Sequence, residues 1–148
     1  MVKVCVNDKG INVTLTSRLN KRHNTVCAGL GLAIADAIVY LGDFREANAI
    51  LGITDEGTEL YIGKSVDGTF EIYDNLPPSP DEPLPDEIVV TATAVDTSRN
   101  QYRLVELYLL WVDDFENPVQ RLVYCKASVN IFKPGLKYLG IVWRIVIQ

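Results

Sequence analysis

The chain has 148 residues, 48% apolar and 22% charged, with a mean hydropathy of +0.11 and a net charge of −5. Such a composition supports a globular core, excludes a disordered polyelectrolyte, and hints at apolar surface held against another chain. The longest apolar stretch, residues 26–41, carries Asp36 and falls short of the roughly 20 residues a spanning helix needs, so no membrane helix is expected.

Val2, Val4 and Val6, then Ile11, Val13 and Leu15, alternate with polar residues around Asn7-Asp8-Lys9-Gly10, which predicts a β-hairpin. The polar turn follows Met1 so closely that no export-length apolar run fits, and cytoplasmic synthesis is expected. Residues 17–25 read as a basic loop. Arg18, Lys21, Arg22 and His23 place four basic groups in six positions, an anion-binding candidate. No aromatic residue is interleaved for base stacking and the whole chain is acidic, which favours an acidic protein surface over nucleic acid as its partner. His23, the single histidine, reads as a solvated loop residue rather than a base.

Residues 27–41 fit either period. Leu30, Leu32, Ile34, Ile38 and Tyr40 suit a strand, while Leu30, Ile34, Ala37, Ile38 and Leu41 suit a helical face. Asp43 with Glu46 has the spacing of a capping box, predicting a short helix over Ala47–Leu51 that stops at Gly52. Strands at 59–64 and 69–73 flank Ser65-Val66-Asp67-Gly68, whose Asp-Gly pair predicts a second hairpin.

Five of the seven prolines fall between Pro77 and Pro85. A run of this kind lacks the amide donors a sheet interior requires, so it is extended and polyproline-like. It divides the chain into a β-rich half, residues 1–75, a linker, 76–86, and a C-terminal half, 87–148. Pro77, Pro78 and Pro80 are candidates for an arm that lies on a neighbour. After the linker, four strands are expected at 88–95, 102–112, 121–132 and 136–147, joined as an antiparallel meander. Leu139, Ile141, Trp143, Ile145 and Ile147 share one face of the last strand, with Gly140 and Arg144 on the other, so Trp143 is assigned to the core. Tyr102, Tyr108, Tyr124 and Tyr138 are placed on the opposite face, where they either cover the N-terminal half or form an interface between chains. A 62-residue half with one covered face is marginal alone, which favours a single core shared by both halves.

Cys5, Cys27 and Cys125 are odd in number, widely spaced and free of any CxxC pair. Cys125 lies in an apolar alternation and reads as a small buried thiol. The carboxylate groups Asp55-Glu56 with Glu59, and Asp113-Asp114 with Glu116, fall at predicted turns without calcium-loop spacing. Neither a metal site nor a cofactor is expected, and no catalytic motif appears. Charge is segregated along the chain. Residues 1–27 hold five bases and one acid (+4), residues 28–87 two bases and thirteen acids (−11), and residues 88–148 seven bases and five acids (+2). Such ends and middle can be satisfied within one fold or between copies.

The expected fold is mainly β, an antiparallel sandwich or barrel-like meander with one or two short helices in the 28–52 region. The expected function is non-enzymatic assembly with copies of itself or other assembly proteins. The specific expectation is a virion component such as a phage decoration, tail or neck protein, located in the particle. The rival is a cytosolic binding module, an immunity or inhibitor protein that uses its acidic middle.

Overall fold

The computed structural model describes residues 2–19, 33–34, 46–79, 81–83 and 85–147. They form ten strands: β1 (Val2–Val6), β2 (Gly10–Leu19), β3 (Ala33–Ile34), β4 (Ala49–Thr54), β5 (Glu59–Lys64), β6 (Phe70–Asp74), β7 (Ile88–Asp96), β8 (Tyr102–Val112), β9 (Arg121–Lys133) and β10 (Tyr138–Ile147). Two five-stranded sheets result, one ordered β1-β2-β10-β7-β6 and the other β3-β9-β8-β4-β5. The mainly β expectation holds.

Both halves contribute to both sheets. β2 pairs in parallel with β10, and β4 pairs antiparallel with β8. The inner faces meet in one cluster that includes Val13 and Leu15 from β2, Ile50 from β4, Leu107 and Leu109 from β8, and Ile141, Trp143 and Ile145 from β10. Trp143 is 0% exposed and donates its indole N–H to Ser17 Oγ at 2.9 Å. Period-two alternation therefore identified the buried face of β10 correctly, because one face of that strand meets the other sheet and the opposite face carries Val142 and Arg144.

The predicted meander is corrected. β7 and β10 pair with each other in the first sheet, while β8 and β9 pair in the second, so the chain crosses the sandwich twice after the proline segment. The expected hairpin at 65–68 is also corrected. β5 belongs to the second sheet and β6 to the first, and the chain passes between them through a 3-10 turn at Ser65–Asp67. Gly68 closes that turn at φ 78°, a left-handed conformation that explains the Asp-Gly signal without a hairpin. The hairpin instead joins β4 to β5, through a turn where Thr54 N–H donates to Thr58 O at 2.9 Å and Gly57 sits at φ 82°.

A third correction concerns Ala47–Leu51, expected to be helical. Ala49–Thr54 is a strand hydrogen-bonded on both sides, to β5 and to β8. Two ladders and near-complete burial outweigh the local helix preference of a short Ala-containing segment. Asp43 of the capping box and residues 27–32 and 35–41 lie outside the described residues.

The second sheet is apolar on its outer face too. Ala49, Leu51, Tyr108, Leu110, Val112 and Val123 form a buried cluster there, with Ile53, Tyr61 and Phe115 packed around it. Register shifts in the β8–β9 ladder, between Leu104 and Glu106 and between Leu109 and Leu110, set which residues face inward.

Candidate functional site

The interaction candidates separate once the fold is formed. Arg18 is exposed near the end of β2, level with Val146 of β10. Lys21, Arg22 and Pro80 lie outside the described residues. Pro77 is half-buried and Pro78 exposed. The four tyrosines do not share a face, which corrects their placement. Tyr124, 1% exposed, sits at a register shift of β9 and belongs to the inner core. Tyr108 is buried in the outer cluster and donates its hydroxyl to Glu106 Oε2 at 2.8 Å. Tyr138 belongs to the other sheet, where its ring crosses Gly10; a Cβ at Gly10 would meet that ring at 2.7 Å. Only Tyr102 and Tyr138 retain accessible surface, because the bulges reset the alternation that a uniform period of two assumed.

Tyr102 stands at one end of the sandwich, beside a cleft of about 380 Å³ lined by Thr54, Thr58, Asp96, Asn100, Gln101 and others. Its hydroxyl donates to Asp96 Oδ2 at 2.6 Å. Burial first, and then the Asp96 carboxylate, hold the phenol far above its ordinary titration range. Lys133 lies below, 0% exposed, with Nζ 5.4 Å from the Tyr102 ring centroid. That ammonium donates to Ser98 O at 2.8 Å and to Asn100 O, and burial pushes its pKa down while Asp96 opposes the shift. Lysine, tyrosine and aspartate here clamp the loop between β7 and β8, so their hydrogen-bonding capacity is committed to the fold. Lys133 falls one residue beyond the strand expected at 121–132, although it continues the buried face of Ile131, and that alternation was the available signal.

The acidic turn after β8 is equally self-contained. Asp113 Oδ1 accepts backbone N–H groups from Asp114, Val119 and Gln120 at 2.9–3.1 Å, and Asp114 Oδ1 accepts from Glu116 at 2.9 Å. These donors, Gln120 first, hold the Asp113 carboxyl below its ordinary range. Among the described residues no group of three His, Cys, Asp or Glu side chains could hold a metal ion, and no helix is long and apolar enough to cross a membrane.

The rim of the first sheet also faces outward. All five residues of β1 are exposed, and Val2, Val4 and Val6 are 43%, 47% and 66% accessible. These valines sit opposite Leu15, Val13 and Ile11 of β2, so they lie on the core-side face yet extend beyond its cover. At the other rim β6 exposes Glu71 and Tyr73, the latter at 58%. Among the described residues β1 and β6 are the outermost strands of this sheet. No protein-family model, curated protein or solved structure matches the chain.

Proposed function

We propose that this chain is a non-enzymatic structural protein that assembles with copies of itself or with other assembly proteins through sheet-edge contacts. The observation that carries this reading is β1, an edge strand with three accessible valines on the core-side face. Exposed apolar edges of this kind are templates for further strand pairing, and monomeric folds ordinarily blunt or cover them. Segregation of charge into basic ends and an acidic middle supports contacts between unlike parts of neighbouring copies. The proline segment adds a stiff loop between the paired strands β6 and β7, at the same rim. Within this reading the setting we favour is a virion, with the chain as a phage decoration, tail or neck component.

Light scattering coupled to size exclusion tests the assembly. A mass above the 16.5 kDa of one chain, rising with concentration, is expected. A strictly monomeric species at high concentration, with no assembly protein recovered alongside it, counts against the reading. One stoichiometric small basic partner, released at high salt, would favour the immunity or inhibitor alternative instead. The virion setting requires that the chain be recovered at repeated copy number from purified particles.

A further inference from the structure

We infer that β1 of one copy pairs antiparallel with β6 of the next, continuing the first sheet from copy to copy in a head-to-tail series. This inference rests on the assembly reading above and names the surfaces that would make it.

Strand direction allows the contact. β1 runs antiparallel to β2, β2 parallel to β10, β10 antiparallel to β7, and β7 antiparallel to β6. β1 and β6 therefore run in opposite directions at opposite rims. A second copy placed edge to edge in the same orientation, rotated to follow the sheet twist, brings its β1 antiparallel to β6.

Hydrogen-bond phase agrees. In an antiparallel ladder the residues bonded to one neighbour alternate with residues whose N–H and C=O point the other way. Asn7 N–H bonds Gly10 O, so Cys5 and Lys3 bond back to β2, while Val2, Val4 and Val6 direct their amides to the open side. Val95 N–H bonds Thr69 O, so Glu71 and Tyr73 bond back to β7, while Phe70, Ile72 and Asp74 direct theirs outward. Setting Val2 opposite Ile72 and Val4 opposite Phe70 makes both into hydrogen-bonded pairs. Lys3 then faces Glu71 in the intervening, non-hydrogen-bonded pair, where side chains approach most closely.

Face and charge agree in that same register. Val2 and Val4 lie on the face of Leu15 and Val13, and Ile72 and Phe70 on the face of Ala92 and Ala94, all four of these neighbours being core residues. The valines would thus extend the neighbour's apolar face. Lys3 and Glu71 are the only charged residues of β1 and of the paired part of β6, and both are exposed. A twofold β1–β1′ pairing would satisfy the backbone as well. It would, however, place the basic N-terminal segments of two copies side by side, with Lys3 opposite Cys5 and no acid in register. Because the contact joins unlike surfaces, the series continues or closes into a ring, and does not stop at two.

Size-exclusion light scattering and sedimentation on the intact chain test the pairing with four variants. Wild type should give species beyond the dimer. Lys3→Glu and Glu71→Lys should each lower the association constant roughly tenfold, since like charges directly opposite oppose the pair. Mixing the two variants, or combining both changes in one chain, should restore it. Val4→Pro should abolish assembly while melting stays close to wild type, because the lost Val4 N–H makes no bond to β2. Multimers that persist through the charge reversals and Val4→Pro would overturn the inference while leaving the assembly reading intact. A species that stops at the dimer, is lost with Val4→Pro and is indifferent to Glu71→Lys would assign the contact to twofold β1 pairing. A wild-type monomer that still joins other assembly proteins would overturn the inference alone, and a monomer that joins none would overturn both.

Discussion

Replacing Trp143 with Ala probes the whole sandwich, because this side chain belongs to the core cluster to which both sheets contribute. It is 0% exposed, lies level with Leu15 of β2 and Ala92 of β7, and donates its indole N–H to Ser17 Oγ at 2.9 Å. Large aromatic-to-Ala changes in a core cost about 3–5 kcal/mol through lost transfer energy and the cavity left behind. The small residue opposite, Ala92, cannot expand into that space. For a chain of this length, with a total stability of about 5–15 kcal/mol, the change lowers the melting temperature by roughly 10–15 °C. Urea titration by far-UV circular dichroism is the assay, with Trp143→Phe and Ser17→Ala alongside. Phe keeps most of the apolar contact and loses the N–H, and Ser17→Ala strands that donor at about 1 kcal/mol. A double-mutant cycle between positions 143 and 17 should show coupling, since each change removes the same bond. A Trp143→Ala protein that melts within about 2–3 °C of wild type, the effect of a surface substitution, would refute the assigned register of β10 and the sheet built on it.

Three further outcomes follow from named contacts. Lys133→Met keeps the stem but removes the donors to Ser98 O and Asn100 O; it should cost about 2–3 kcal/mol and speed hydrogen exchange across residues 97–101, and unchanged exchange there would dismiss the clamp. Gly63→Ala puts a Cβ against Thr69 O and 2.8 Å from Ala94 Cβ, where β5 approaches the first sheet; a loss of about 1–3 kcal/mol in urea unfolding is expected, and a neutral result would mean the sheets are further apart. Asp113 has its carboxyl pKa depressed in the fold, so its contribution is present above the unfolded value of about 3.9 and is lost as pH falls through the folded value. Urea midpoints of wild type and Asp113→Asn should therefore converge as pH falls from 6 toward 2, and a gap that widens would contradict the role given to its three backbone donors.

Much of the secondary structure was legible because burial of one strand face leaves a period-two signature. The β1–β2 hairpin, the four C-terminal strands and the inward placement of Trp143 all rest on that geometry, and so does the buried thiol of Cys125. Turn chemistry was legible only in part. The Asp67-Gly68 pair announced a left-handed residue, which the structure places in a crossing between sheets rather than in a hairpin. The requirement for positive φ is local, whereas the destination of the next strand is not. Ala49–Thr54 escaped the sequence reading for a related reason: its strand conformation is enforced by ladders to β5 and β8, the second of which lies some fifty residues away.

For the candidate site, composition and spacing determined which residue types were present, and tertiary structure decided which of them meet solvent. Alternation alone grouped Tyr102, Tyr108, Tyr124 and Tyr138, but bulges in the β8–β9 ladder and membership of different sheets separated them. The valines of β1 looked in sequence like any other core alternation. Their exposure depends on strand order, which puts β1 at a rim where the cover of the opposing sheet ends. Side-chain periodicity is a property of one strand, but accessibility is set by its neighbours, and those neighbours are chosen by contacts distant in the chain.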